Sequence, residues 1–153
     1  MAPDAEPTRP PASRDLSRGL RSRAAARGLR LIHRPCEGGY ESTAGTLSRI
    51  FEERPDTTAL VVQNESAIVP LLALLRQQGR AVPEDVSVVA VCPDQVATQA
   101  TPQLTSVAIP AQQMGRHAVE LVIAKLDGSP NEEVRLLGPE LTVRASSGPA
   151  PSV

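Results

Sequence analysis

Two polar side chains stand where the end of a buried strand would place them. Asn64 follows the apolar run Leu60–Val62 and precedes a helical stretch, and Asp94 follows the longer apolar run Val86–Val91. An amide or carboxylate there can do either of two things. It can cap the next helix by accepting from an unpaired backbone N–H, or it can hydrogen-bond a ligand lying over the carboxyl edge of the sheet. Position alone leaves both readings open for each residue.

The remaining chemistry-bearing residues do not assemble a reaction centre on paper. His33 and His117 are the only histidines, and neither has a nucleophile or carboxylate within sequence reach. Cys36 and Cys92 are far apart, without CxxC spacing or a histidine pair, so a zinc site is not expected and two reduced thiols are. Glu52-Glu53 and Glu132-Glu133 are adjacent residues whose side chains diverge, so neither is an acid/base pair. Gly38-Gly39 lacks the third glycine and the Lys-Ser/Thr of a phosphate loop. Ser146-Ser147-Gly148 lies in the tail and is no nucleophile elbow. The expectation is a non-enzyme without cofactor or metal.

The elements that must position Asn64 and Asp94 follow from periodicity and punctuation. A helix is predicted from Ser13-Arg14-Asp15 to Arg27, stopped by Gly28, and a short strand over 29–33 before Pro35. Residues 40–53 carry helical spacing through Leu47, Ile50 and Phe51. Thr58–Val62 and Val86–Val91 read as strands buried on both faces. Between them Ile68, Leu71, Leu72 and Leu75 fall at i, i+3, i+4 and i+7 of a helix opened by Asn64-Glu65-Ser66 and ended by Gly79. Leu104–Ile109 is a further strand, with Pro110 at the first position of the next helix, which runs to Leu126. Val134–Leu137 and Leu141–Val143 close the series as short strands. Alternation with short connections predicts an α/β fold, a parallel sheet with flanking helices.

Composition narrows the partners. At 153 residues and net charge -1, the chain has one domain's length and no electrostatic bias toward nucleic acid or anionic membrane. The arginines crowd the first quarter, from Arg9 to Arg34, and a solvated helix face accounts for them more simply than a nucleic-acid arm. Tyr40 and Phe51 are the only aromatics, too few for base stacking or for a sugar site walled by several rings. The N-terminus lacks the basic-then-apolar pattern of a signal peptide and no stretch has the length of a membrane span, so a cytoplasmic location is expected. Residues 1–13 read as a disordered Pro/Arg-rich tail, 14–147 as one domain, and 148–153 as a flexible tail.

Several segments together resemble the sensor domain of LacI/GalR-type transcriptional regulators. They are Thr58-Ala59-Leu60-Val61-Val62-Gln63-Asn64-Glu65, then Val82-Pro83-Glu84-Asp85-Val86-Ser87-Val88-Val89, then Leu104-Thr105-Ser106-Val107 with Ile109-Pro110, Met114-Gly115 and Pro139-Glu140-Leu141. The resemblance runs from about residue 14 to 147 and implies the C-terminal lobe of a type I periplasmic-binding-protein-like fold, with the first lobe largely missing. It implies a small-molecule effector, sugar-like or a related metabolite, bound between lobes, and a homodimer whose DNA contact uses a helix-turn-helix not present in this chain. Carried across, the ligand-binding positions are Asn64, Tyr40 (where an aromatic packs on the sugar) and Asp94. The family's arginine before Gly19 is Leu16 here, and its aspartate after the Ser87–Val89 strand is replaced by Cys92-Pro93, with Asp94 displaced. The helix over 112–126 resembles the piece that packs on the first lobe, so its apolar face is expected to lack a partner. The second reading is a dimerisation decoy, or gene fragment, that pairs with a longer homologue as an interaction protein. A stand-alone solute-binding protein and a doubly wound enzyme are the other two, opposed by the missing export signal and the missing reaction centre.

Overall fold

Apolar spacing and glycine placement account for most of the helices. The computed structural model describes residues 11–128 and 136–151, with side chains from residue 16 onward. The chain divides into two units, Met1–Pro35 and Cys36–Val153. In the first, helix α1 spans Pro11–Ala25. It closes through Gly28, where Leu29 N donates to Ala24 O at 2.9 Å and Gly28 N to Ala25 O at 3.1 Å. The expected tail over 1–13 falls on residues 1–10, which lie outside the described residues, and on the first turn of α1.

No strand forms over 29–33, against expectation. Alternation makes a strand only where a neighbour offers a ladder, and the sheet's pairings do not include this segment. Leu29 is left 64% exposed.

Among the described residues of the second unit, a four-stranded sheet has the order β1-β2-β3-β4, with β1 at Ala59–Val62, β2 at Ser87–Val91, β3 at Thr105–Ala108 and β4 at Glu140–Thr142. β1 and β2 pair in parallel, Leu60 with Val88 and Val62 with Ala90. β2 and β3 are also parallel, Val89 with Thr105 and Val91 with Val107. β4 runs antiparallel on β3, Ser106 opposite Thr142. Of the closing strand expected over 134–137, the first two residues lie outside the described residues and Leu136-Leu137 are irregular.

Helices α2 (Tyr40–Glu53) and α3 (Ile68–Gln77) supply the core. Leu47 of α2 and Ile68, Leu71, Leu74 and Leu75 of α3 are buried with Val88, Ala90, Cys92, Ala97 and Leu104. Fully burying one such leucine contributes about 1.5–3 kcal/mol, so this cluster outweighs any single polar contact in the fold. α3 stops at Gly79 (φ 69°), where Arg80 N reaches back to Leu75 O at 2.9 Å. The Arg80 guanidinium then lies 3.8 Å over the Phe51 ring.

The strands are not buried on both faces as their composition suggested. In β1, Leu60 and Val62 pack on the core while Val61 is 47% exposed. In β2, Val88 and Ala90 are buried and Ser87, Val89 and Val91 are half-buried. Composition recorded an apolar strand; it could not record that the described helices bury one face more completely than the other.

Two further helices complete the unit. α4 (Asp94–Gln99) is too short to show a period in sequence, and buries Ala97. α5 (Ala111–Leu126) follows Pro110, which sits at the cap and not at the first helical position, and buries none of its residues. The segment after β4 departs most from a tail. Ser146 is wholly buried and wedges between the amino ends of β2 and β3. Its carbonyl accepts from Val88 N (2.7 Å), its hydroxyl donates to Val88 O (2.5 Å), and the same hydroxyl accepts from Thr105 N (2.8 Å).

Candidate functional site

Parallel pairing brings the loops after β1 and β2 to one edge of the sheet, because Val62 and Ala90 are register partners and each strand ends within a residue of that pair. Neighbouring strands lie about 4.8 Å apart, so Gln63-Asn64-Glu65 and Cys92-Pro93-Asp94 form adjoining walls.

Asn64 caps the turn that leads into α3. Its Oδ1 accepts from Ser66 N at 3.1 Å and from Ser66 Oγ at 2.7 Å, opening a single 3-10 turn at Glu65–Ala67. Its Nδ2 donates to Cys36 O at 3.0 Å and so ties the 36–39 loop to the sheet edge. Gly39 N adds a bond to Ser66 O at 3.3 Å. The approach is close enough to demand glycine at 38. A Cβ there would stand 2.2 Å from Ser66 Oγ, and φ is +86°.

Cys36 faces the start of α2, with Sγ 3.8 Å from Ser42 Oγ and 3.7 Å from Thr43 Oγ1. Partial burial pushes this thiol up, but the Gly38 N–H and the hydroxyls of Thr43, Ser42 and Thr46 together hold it below its ordinary value. Cys92 is fully buried. Burial raises its pKa, the Glu65 and Asp94 carboxylates add to the rise, and Arg144 opposes it. Those influences place Glu65, Cys92, Asp94 and Arg144 in one electrostatic neighbourhood at the sheet edge.

Tyr40 begins α2 beside this edge, yet its hydroxyl donates to Gln77 Oε1 at 3.0 Å, at the last residue of α3, and the side chain is half-exposed. Asp94 begins α4 and its Oδ1 accepts from Arg144 Nη2. Arg144 also donates through Nη1 to Leu104 O (2.9 Å) and Ser106 Oγ (2.8 Å). Thus the structure gathers Asn64 and Asp94 at one edge and gives the Tyr40 hydroxyl a different partner.

Sequence reasoning missed Glu65 and Arg144. Glu65 stood next to Asn64 in the same strand-end loop, which was a usable signal. Arg144 had none, since it comes from fifty residues downstream across β3. Of the two histidines, His117 does have a carboxylate within reach, against expectation: Glu120 lies one helical turn on, and His117 Nδ1 contacts its Oε2 at 2.9 Å on the exposed side of α5. Among the described residues there is no cluster of three potential metal ligands, and no helix is long and apolar enough to cross a membrane.

Residues 4–147 match the periplasmic binding protein-like domain family. The HTH-type transcriptional regulator CelR of Thermobifida fusca is 36% identical over 108 residues, 70% of this chain and 32% of the regulator. The lactose operon repressor of Rhizobium radiobacter is 32% identical over 111 residues, 72% of this chain and 95% of that sequence. The solved complex of the transcriptional regulator CelR with cellobiose superposes with a TM-score of 0.80 at 32% identity, over 94% of this chain and 45% of that one. The chain therefore spans about a third of the CelR regulator's length and under half of the solved chain.

Proposed function

We propose, from the premise that this chain belongs to the periplasmic binding protein-like family of LacI-type transcriptional regulators, that it is a metabolite-sensing module of such a regulator. The effector, a sugar or related metabolite, lies over the carboxyl edge of β1 and β2. Asn64 and Asp94 are its polar contacts, and Tyr40 offers an aromatic flank once its hydroxyl leaves Gln77. The observation that carries the reading is the convergence of Asn64 and Asp94 on adjoining strand ends in a chain that superposes on a cellobiose-bound regulator.

The module works as a homodimer or with a longer homologue, in the cytoplasm, and reaches DNA only through a partner domain or chain carrying a helix-turn-helix. A decoy role is favoured by one specific observation: α5 leaves Met114, Val119, Val122, Ile123 and Leu126 half or more exposed, a face suited to another chain.

Thermal denaturation of the purified chain with cellobiose, lactose and a nucleoside panel tests the sensor reading. A compound at ten times its Kd stabilises by about 1.4 kcal/mol through mass action, and Asn64→Ala should abolish that shift. No stabilisation by any member, with co-purification of a longer homologue, points to the decoy.

A further inference from the structure

We infer that Arg144 is a clasp that couples α4, at the ligand edge, to the C-terminal segment 144–148, so that loosening either end loosens the other. The guanidinium side chain is 12% exposed and joins two elements at once. It holds the Asp94 carboxylate of α4, the Leu104 carbonyl just before β3 and the Ser106 hydroxyl on β3. The backbone of the same residue is held from the other side, because Arg144 N donates to Thr105 Oγ1 at 2.9 Å.

From there a ladder of hydroxyls continues along the segment. Thr105 Oγ1 lies 2.7 Å from Ser147 Oγ, Ser146 bridges Val88 and Thr105, and Gly148 N donates to Ser87 Oγ at 3.1 Å. Asp94 is the anion paired with Arg144, and its side chain is 63% exposed. It is therefore the rung that solvent or a ligand reaches first. Neutralising it leaves a largely desolvated cation with neutral acceptors only, and the side chain then favours water. Moving outward, it draws the Arg144 backbone off Thr105 Oγ1 and strains the wedge below. The coupling needs no ligand. Its use as a route from the sheet edge to segment 144–148 rests on the sensor reading above, where an effector engaging Asp94 competes with Arg144.

Hydrogen–deuterium exchange on the whole chain tests the coupling without any sugar. Asp94→Asn, which keeps the shape and removes the charge, should speed exchange roughly tenfold at the amides of Val88, Thr105, Arg144 and Gly148. Amides of α3 should be unchanged. Coupling between sites is reciprocal, so Ser147→Ala should speed the Leu104 amide, which bonds Ala97 O of α4 at 2.9 Å. Acceleration confined to α4 in Asp94→Asn, or equal acceleration everywhere including α3, overturns the clasp. Arg144→Lys, which keeps charge but not the fork, should match Asp94→Asn if it folds; if it does not, the other two variants decide. Failure of every sugar to bind would sink the sensor reading and leave the clasp intact.

Discussion

Asn64 holds a structural post at the strand end where the sensor reading proposes a ligand contact. Its oxygen and nitrogen are both engaged, with Ser66 and with Cys36. Asn64→Ala removes a cap worth about 1 kcal/mol and a loop tether of similar size, so a loss of about 2 kcal/mol is expected in urea unfolding. Asn64→Asp keeps the acceptor and loses the donor, and should fall between. An alanine variant as stable as the parent would mean that neither the cap nor the tether supports the fold. The two thiols differ in a way composition cannot show. Cys36 is lowered on folding, so its thiolate adds stability above the unfolded-chain value, an increment lost as pH falls through the folded value. Cys92 is raised, so its contribution is present below the unfolded value and lost as pH rises through the folded one. Iodoacetamide at mildly alkaline pH should therefore modify Cys36 in the native protein and leave Cys92 until the chain unfolds. Mass mapping that found Cys92 modified first would contradict this arrangement.

At the scale of elements, α3 was legible because a 3.6 period and a stopping glycine agree, although Asn64 caps the 3-10 turn ahead of it and α3 itself begins only at Ile68, without a side-chain cap. The strands β1 to β3 were legible from apolar runs bounded by turn residues. What escaped was whatever depends on a distant partner. The alternating run at 29–33 looks like a strand but has no ladder, and α4 hides its helicity in six residues. Asn64 and Asp94 could be picked from strand ends, whereas Arg144 and Ser146 act across β3 and leave no local trace. α5 was legible as a helix. Met114, Val119, Val122 and Ile123 are 50–59% exposed and Leu126 is 81% exposed. Such a stripe on one helix should drive association in water. Sedimentation over a concentration series is expected to show reversible self-association that Val122→Glu with Leu126→Glu suppresses. A monomer at all concentrations would mean that this face is innocuous.

For the molecule as a whole, the apolar cluster explains why the unit folds, and the polar wedge explains why its far end belongs to the same body. The core runs from Leu47 to Leu104, yet the buried hydroxyl that completes the β2–β3 gap comes from Ser146. No buried side-chain polar atom among the described residues lacks a partner, so a change at the wedge creates orphans where none existed. Ending the chain at residue 143 would leave Val88 N, Thr105 N and the Thr105 hydroxyl without their Arg144, Ser146 and Ser147 partners. Each unpaired buried group costs about 1–3 kcal/mol, and together they approach the 5–15 kcal/mol by which an ordinary domain is stable. Ending it at residue 148 keeps every one of those bonds. The expected outcome is a cooperative melt near that of the full chain for the 148 ending, and a broad or absent transition for the 143 ending, read by far-UV circular dichroism. Equal melts for the two would mean that water replaces the wedge at no cost, and Ser146-Ser147-Gly148 would then be the start of a tail, as the sequence suggests.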